Sequence, residues 1–166
     1  LPKFYLNLKS YRKSLLSNSN PYTPAVNLVF ALEEALKMMR EEGLNNIFFR
    51  HNKHKLAISN AVKALNLKLF ADEKYLSPSI TAVETEEIDA EEFRKTIKNN
   101  FDILLAGGQD HMKGKIFRIG HLGYVNDRDI ITVVSAISNT LLNFDKITTQ
   151  QAGEALVVAS RYLEET

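Results

Sequence analysis

The chain has no cysteine among its 166 residues, which excludes disulfides, thiolate metal sites and thiol catalysis together. No apolar run approaches the roughly 20 residues of a membrane span, and no signal peptide is visible. Charge of neither sign is in excess, since 21 Lys and Arg against 20 Asp and Glu leave a net charge of +1. Nothing therefore predicts electrostatic binding to nucleic acid or to a membrane. We expect a soluble, cytoplasmic protein.

Apolar residues at three- and four-residue spacing predict five helices. Thr23 is expected to be the N-cap of the first, with Pro24 at its first helical position and Gly43 as its C-terminal stop. The second helix is expected from about Asn45 to Leu65. The N-caps expected for the other three are Asp89 (in a capping box with Glu92), Asn126, and Thr148 (in a capping box with Gln151).

Four short β-rich segments lie between the helices. The predicted strands are 67–70, 79–84, 103–106 and 115–121, and the third is expected to stop at Gly107-Gly108. Apolar residues make up 45% of the chain, enough for a core in one domain or one domain plus an appendage. The predicted fold class is α+β: a small, mainly antiparallel sheet of about four strands with helices on one face.

The last predicted strand carries one arginine between apolar neighbours. Side chains alternate across a strand, so Phe117 and Ile119 are expected to face one way and Arg118 the other. A guanidinium fixed beside the glycine turn of Gly107 and Gly108 suits a bidentate contact with a carboxylate or phosphate. The alternative is an arginine paired with a structural Asp or Glu. The pattern alone leaves both interpretations open.

The four histidines do not predict a metal site. His51 and His54 are three apart on a helix, which is permissible ligand spacing, but no third ligand is evident and we expect a solvated helix face. The run Lys53–Lys55 is likewise expected to be solvated surface. His111 and His121 could each act as a base, although neither has a visible orienting partner.

Three stretches, in order, resemble the C-terminal part of class V pyridoxal-phosphate aminotransferases. They are Pro21-Tyr-Thr-Pro-Ala-Val26, Ser77-Pro-Ser-Ile-Thr-Ala-Val83 with Ile88-Asp-Ala90, and Ala106-Gly-Gly-Gln109 with Lys115-Ile-Phe-Arg-Ile-Gly-His-Leu-Gly-Tyr124. The group resembled is the serine–pyruvate and alanine–glyoxylate aminotransferases, including proteins named as the small or tritium-exchange subunit of cyanobacterial soluble hydrogenase. The resemblance extends over residues 1 to about 144 and implies the C-terminal domain of a fold-type-I aminotransferase.

The resemblance also implies a division of the chain. Residues 1–22 would be a remnant of the large domain or a linker. Residues 23–144 would be the small domain with its leading long helix, and residues 145–166 a helical tail that covers the core or packs on a partner chain. The chain begins with Leu1 rather than Met, at a point that falls inside the resembled enzymes. We therefore expect a fragment.

In the resembled enzymes the arginine that matches Arg118 holds the α-carboxylate of the amino-acid substrate. Thr23 matches a residue that contacts the phosphate of pyridoxal phosphate across a dimer interface. Tyr22 is a second candidate for that phosphate, although Asn20 stands where the family often has its tyrosine. No catalytic residue is expected in this chain, because the cofactor lysine, the aspartate on the pyridine nitrogen and the stacking aromatic all match upstream sequence.

The implied function is transfer of an amino group from serine or alanine to glyoxylate or pyruvate by a homodimer. Its partners would be the amino-acid and keto-acid substrates, and the fragment itself is expected neither to bind the cofactor tightly nor to transaminate. One alternative is a non-catalytic small-molecule-binding or regulatory α+β module. Another is a hydrogenase-associated subunit, for which the sequence has no cysteine and no evident cluster of metal ligands.

Overall fold

The structure of the chain is a computed structural model that describes residues 3–164. The chain divides into two compact units, the first ending at Leu44 and the second beginning at Asn45. The first unit holds a 3-10 turn at Phe4–Leu6 and the helices α1 (Leu8–Leu15) and α2 (Val26–Glu42). None of its described residues is buried. Helix α1 was not predicted, because its eight residues are too short to show a clear helical period.

Helix α2 starts later than the sequence predicts. Its N-cap is Ala25, which makes no side-chain capping bond, so the prediction of Thr23 as N-cap is wrong. The N–H of Val26 donates to the carbonyl of Pro24 at 2.9 Å, which is a tight turn rather than a helical bond. The predicted stop at Gly43 is confirmed. This residue has a φ of 84°, where glycine carries no steric penalty.

The described part of the second unit contains a four-stranded sheet, four α-helices and two 3-10 turns, Glu73–Tyr75 and Asp110–Met112. The strands are β1 (Lys68–Leu69), β2 (Ile80–Glu84), β3 (Ala106–Gly107) and β4 (Ile116–Gly120), in the order β1-β2-β4-β3. Every neighbouring pair is antiparallel, which confirms the predicted fold class. Strand β3 ends within the Gly107-Gly108 pair, as predicted, but it begins at Ala106, so the expected strand over 103–105 is wrong.

Side chains on the two sheet faces have different surroundings. Thr81, Val83, Phe117 and Ile119 are buried on one face. That face belongs to a core completed by residues of helices α3 (Leu44–Ala64), α4 (Ala90–Phe101), α5 (Asp127–Asn143) and α6 (Thr149–Glu164). Ala155 and Ala159 of α6 are fully buried in this core, so the predicted tail helix covers it.

The predicted N-caps of the last three helices are confirmed. The Asp89 side chain accepts from the backbone N–H groups of Glu91 and Glu92. Asn126 caps α5 in a full capping box. Thr148 and Gln151 bond reciprocally at the start of α6, at 2.8 and 3.3 Å. These local contacts fix where the helices begin. Over residues 3–164, no helix combines the length and the apolar character needed to cross a membrane.

Candidate functional site

Arg118 lies at the centre of β4, on the sheet face opposite the core. Its register partners are Ala82 on β2 and Ala106 on β3. Arg118 is half-buried, while its chain neighbours Phe117 and Ile119 are buried. The predicted alternation is therefore confirmed. Because both flanking residues are alanines, the guanidinium has space above the sheet that larger side chains would fill.

Among residues 3–164, the Arg118 guanidinium makes one hydrogen bond. Its Nε donates to the carbonyl of Gly107 at 2.9 Å. Between residues 3 and 164, no carboxylate lies within 4.0 Å of Arg118, and its two terminal nitrogens have no hydrogen-bond partner. The alternative of a structural ion pair is thus not found in the described chain. The side chain is directed by a backbone group and keeps both terminal nitrogens for a ligand.

Gly107 and Gly108 lie in crowded surroundings. The N–H of Gly108 donates to the carbonyl of Ile116 at 3.2 Å. A Cβ added at Gly108 would lie 2.0 Å from the carbonyl oxygen of Met112. A side chain at this position would overlap backbone atoms, which cannot swing aside as a flexible side chain does. The expected tight turn before the arginine strand is therefore present, and it depends on the absence of a Cβ.

Tyr22 and Thr23 lie in the first unit and line one open cavity of about 720 Å³. The Tyr22 hydroxyl donates to the carbonyl of Phe4, and its ring lies 5.0 Å from that of Phe4 and 4.7 Å from that of Tyr5. Thr23 is exposed. The structure thus places these two predicted cofactor residues together, whereas Arg118 belongs to the other unit.

The expectation that His51 and His54 lie on a solvated face is wrong, because both are buried. His54 Nε2 lies 2.8 Å from Asp127 Oδ1, and Lys53 Nζ lies 2.9 Å from Asp127 Oδ2. Burial lowers the pKa of His54, and the Asp127 carboxylate opposes that shift. Lys53 is mostly buried as well, so the lysine run is not wholly solvated surface.

His121 has the orienting partner that the sequence did not reveal. It is fully buried, and its Nε2 lies 3.0 Å from Thr81 Oγ1. Burial lowers its pKa to about 4, helped by the nearby His54 and His51 and opposed by the polar backbone of Pro78. His121 is therefore neutral at pH 7 and closed off from a substrate. The sequence carried a signal for this cluster, since His54 precedes Ala57 and Ile58 at core-facing helical spacing.

A second cavity, of about 320 Å³, lies in the second unit. Its charged residues are already paired with one another: Lys68 Nζ is 2.7 Å from Glu84 Oε2, and Lys146 Nζ is 3.2 Å from Glu87 Oε2. Arg118 does not line it. Within residues 3–164, no group of three or more His, Asp or Glu side chains is placed to hold a metal ion.

The chain is similar to several aminotransferases and to soluble hydrogenase subunits. It is 52% identical over 163 residues to "Soluble hydrogenase, small subunit" of Synechococcus sp., which covers 98% of this chain and 42% of that protein. It is 32% identical over 168 residues to the serine–glyoxylate aminotransferase of Methylorubrum extorquens, with 99% of this chain and 41% of that protein covered. No protein-family model matches the chain.

Solved structures give the same result for the fold. The ureidoglycine–glyoxylate aminotransferase of Bacillus subtilis superposes with a TM-score of 0.84 at 30% identity, over 95% of this chain and 42% of that one. The homologues are class V aminotransferases and soluble hydrogenase subunits, and the part matched is their C-terminal portion. The chain spans about two fifths of the length of these relatives.

Proposed function

We propose that this chain is the C-terminal domain of a class V, pyridoxal-phosphate-dependent aminotransferase. The parent enzyme would transfer an amino group from serine or alanine to glyoxylate or pyruvate, as a homodimer in the cytoplasm. Arg118 would bind the carboxylate of the substrate. The observation that carries the proposal is a strand arginine whose two terminal nitrogens have no partner in the described part of the chain. The homologues of the chain include aminotransferases.

The geometry favours one mode of carboxylate binding. Because Arg118 Nε is engaged by the Gly107 carbonyl, a carboxylate would be bound end-on by the two terminal nitrogens. A hydrogen bond to a charged group contributes roughly 1.5–3 kcal/mol, and two parallel bonds also fix the orientation of the ligand. Fixed orientation holds the Cα–H bond of an amino acid in one direction, which a reaction at that carbon requires. Lysine cannot replace this fork.

The described residues fit only the phosphate end of the cofactor. Tyr22 and Thr23 line one cavity, and a hydroxyl can donate to a phosphate oxygen. Thr23 could do so directly, whereas Tyr22 would have to exchange its bond to the Phe4 carbonyl for one to the phosphate. When bound, pyridoxal phosphate supplies the electron sink for chemistry at the substrate Cα. We propose that the cofactor lysine belongs to the part of the parent enzyme that precedes this chain. The role of this chain would be to orient the substrate through Arg118.

A chimaera tests the proposed function. The matching portion of the serine–glyoxylate aminotransferase of Methylorubrum extorquens, which covers 99% of this chain, would be replaced by residues 1–166. Transamination would be assayed with serine or alanine as donor and glyoxylate or pyruvate as acceptor. We expect activity, and we expect Arg118→Gln and Arg118→Lys to lower kcat/KM by about 100-fold, because charge-assisted bonds to the substrate are lost.

Arg128→Gln is the matched control, because Arg128 is exposed on α5 and lies outside the proposed site. It should retain the activity of the unmodified chimaera. An active chimaera in which Arg118→Gln changes nothing would refute the role of Arg118. An inactive but folded chimaera that binds pyridoxal phosphate would contradict the proposed activity.

The chain on its own should neither bind pyridoxal phosphate tightly nor transaminate, since it offers one substrate contact and two hydroxyl groups. Absorbance titration of the purified chain with the cofactor measures this. A saturable new absorbance band, made permanent by borohydride at one defined lysine, would contradict the proposal.

The name of the Synechococcus relative supports a second candidate, a subunit of a hydrogenase assembly. The chain has no cysteine, so we propose that any cysteine-bound cluster in such an assembly would belong to a partner subunit. Co-purification of the parent protein with a metal-containing partner, together with a chimaera that lacks transaminase activity, would favour this candidate over the first.

A further inference from the structure

We propose that Arg94, held by Glu91, is a positioning residue for Arg118 and acts through the backbone of Gly107. The inference rests on the proposed function only in assuming that Arg118 binds the substrate. The contacts that link Arg94 to Arg118 are seen in the structure. They can be measured without any substrate. Three features support it: a weakly attached edge strand, an arginine that bonds this strand from the helix side, and a carbonyl shared with Arg118.

Strand β3 has little to hold it in place. It consists of two residues, Ala106 and Gly107, and lies at the edge of the sheet with β4 as its one strand neighbour. Leu104, two residues before it, is 76% exposed, and of the residues that lead into β3 only Leu105 is buried in the core. So short an edge strand is expected to fray unless another element fixes it. The position of the Gly107 carbonyl therefore depends on further contacts.

Arg94 of α4 provides such a contact. Its Nε donates to the carbonyl of Leu105 at 2.8 Å, and its Nη1 donates to Glu91 Oε2 at 2.8 Å. The Arg94 side chain is 22% exposed, so both bonds are partly shielded from water. The two bonds hold the planar guanidinium in one orientation and attach α4 to the residue that enters β3.

The Arg94–Glu91 pair also lies directly against Gly107. A Cβ at Gly107 would be 2.5 Å from Arg94 Nη1 and 2.7 Å from Glu91 Oε1. The pair therefore occupies the space into which any other residue would project its side chain. Glycine at this position allows the guanidinium to pack on the backbone itself.

The other contact of Gly107 leads to the proposed site. Its carbonyl accepts the Nε–H of Arg118 at 2.9 Å. Without Arg94, the residue that enters β3 would lose its hydrogen bond to α4 and keep only the core contacts of Leu105, so the Gly107 carbonyl would move and Arg118 Nε would lose its partner. The guanidinium would then sample several rotamers, so that the two terminal nitrogens would no longer point in one direction.

The contact can be tested in the 166-residue chain by NMR of the arginine Nε–H groups. In the unmodified chain we expect the Arg118 Nε–H to exchange with water about 10- to 100-fold more slowly than that of exposed Arg128. Of these two side chains, only that of Arg118 donates a hydrogen bond within residues 3–164. Arg94→Gln should abolish this protection. Gly107→Ala should do the same, because the new methyl group displaces the Arg94 guanidinium, which can swing aside.

Gly153→Ala is the matched control, since a Cβ there meets nothing within 4 Å, and it should leave the protection intact. Folding of each variant is checked by its amide spectrum. Retained Arg118 protection in folded Arg94→Gln would overturn the inference. If Arg94→Gln fails to fold, Gly107→Ala decides the question in the same way.

Measuring kcat and KM of the chimaera shows whether Arg94 positions Arg118 or only stabilises the fold. Arg94→Gln should raise KM for the amino donor about 10-fold and leave kcat nearly unchanged, since carboxylate binding is weakened. A purely structural role would lower the amount of active enzyme, and thus the apparent kcat, without moving KM. If Arg118→Gln leaves kcat/KM unchanged, the proposed role of Arg118 fails while the NMR contact still stands. If Arg118→Gln raises KM and Arg94→Gln does not, the positioning role alone fails.

Discussion

Helices α2 and α5 show how differently the two units of this chain use similar sequence patterns. Each helix has 17 residues and apolar side chains at helical spacing. Helix α5 of the second unit buries eight residues, whereas α2 of the first unit buries none. Phe30 of α2 is 63% exposed. Apolar spacing therefore predicts that a helix forms, but it does not show what the apolar face contacts.

Because its helices bury their apolar faces, the second unit should account for most of the stability of the chain. Truncating a side chain in its core should therefore lower the free energy of unfolding more than any other change. Phe117 is fully buried, and its ring lies 5.1 Å from that of Phe93. Phe117→Ala should lower the free energy of unfolding by about 3–5 kcal/mol, because it removes apolar contacts and leaves a cavity. Urea denaturation followed by circular dichroism measures this. A loss below 1 kcal/mol would show that the second unit is not the stable part.

A fall in pH from 7 to 4 should lower the stability of the second unit, because all four histidines lie there and residues 1–44 contain none. The pKa of His121 is lowered to about 4 in the folded chain, so between pH 6.5 and 4 the unfolded chain binds a proton that the folded chain does not. Stability should therefore be full above pH 6.5 and fall by about 3 kcal/mol as the pH drops to 4. The lowered pKa of His54 acts in the same direction.

Urea midpoints at pH 7.5, 5.5 and 4.5 test this dependence. His121→Asn removes the titrating group and keeps a polar side chain near Thr81, so its stability should vary less with pH. An equally steep loss in His121→Asn would assign the acid sensitivity to other groups.

A substitution in the turn before the arginine strand should lower the free energy of unfolding by an intermediate amount. In Gly108→Ala the new methyl group would overlap the carbonyl oxygen of Met112, 2.0 Å away. We expect a loss of about 2 kcal/mol in the free energy of unfolding, because backbone must shift to relieve the overlap. The control Gly153→Ala lies within α6 and should gain about 0.5–1 kcal/mol from helix propensity. Equal stability of the two variants would contradict the crowding at Gly108.

The smallest effect is expected in the first unit. Phe30→Ala truncates a side chain as large as that of Phe117, yet one that is 63% exposed. The free energy of unfolding measured for the second unit should change by less than about 0.5 kcal/mol. The same urea titration measures it. If Phe30→Ala lowered the free energy of unfolding as much as Phe117→Ala, Phe30 would have to be buried, which would contradict the difference between the two units.

Most of the fold could be predicted from the sequence because its signals are local. The caps at Asp89, Asn126 and Thr148 and the stop at Gly43 depend on residues a few positions away. The sequence pattern places the N-cap at Thr23, two residues too early, because the turn formed by Pro24 moves the helix start to Val26. The burial of His51 and His54 was missed because a charged-looking run concealed the core-facing spacing.

The sequence by itself determined that Arg118 faces away from Phe117 and Ile119, since alternation along a strand follows from backbone geometry. Only the tertiary structure decided what meets it there. The alanines beside it come from β2 and β3, the carbonyl on its Nε comes from Gly107, and Arg94 reaches that strand from α4. These partners are distant in sequence or belong to other elements. Their meeting depends on how strands pair and helices pack, which no local pattern encodes.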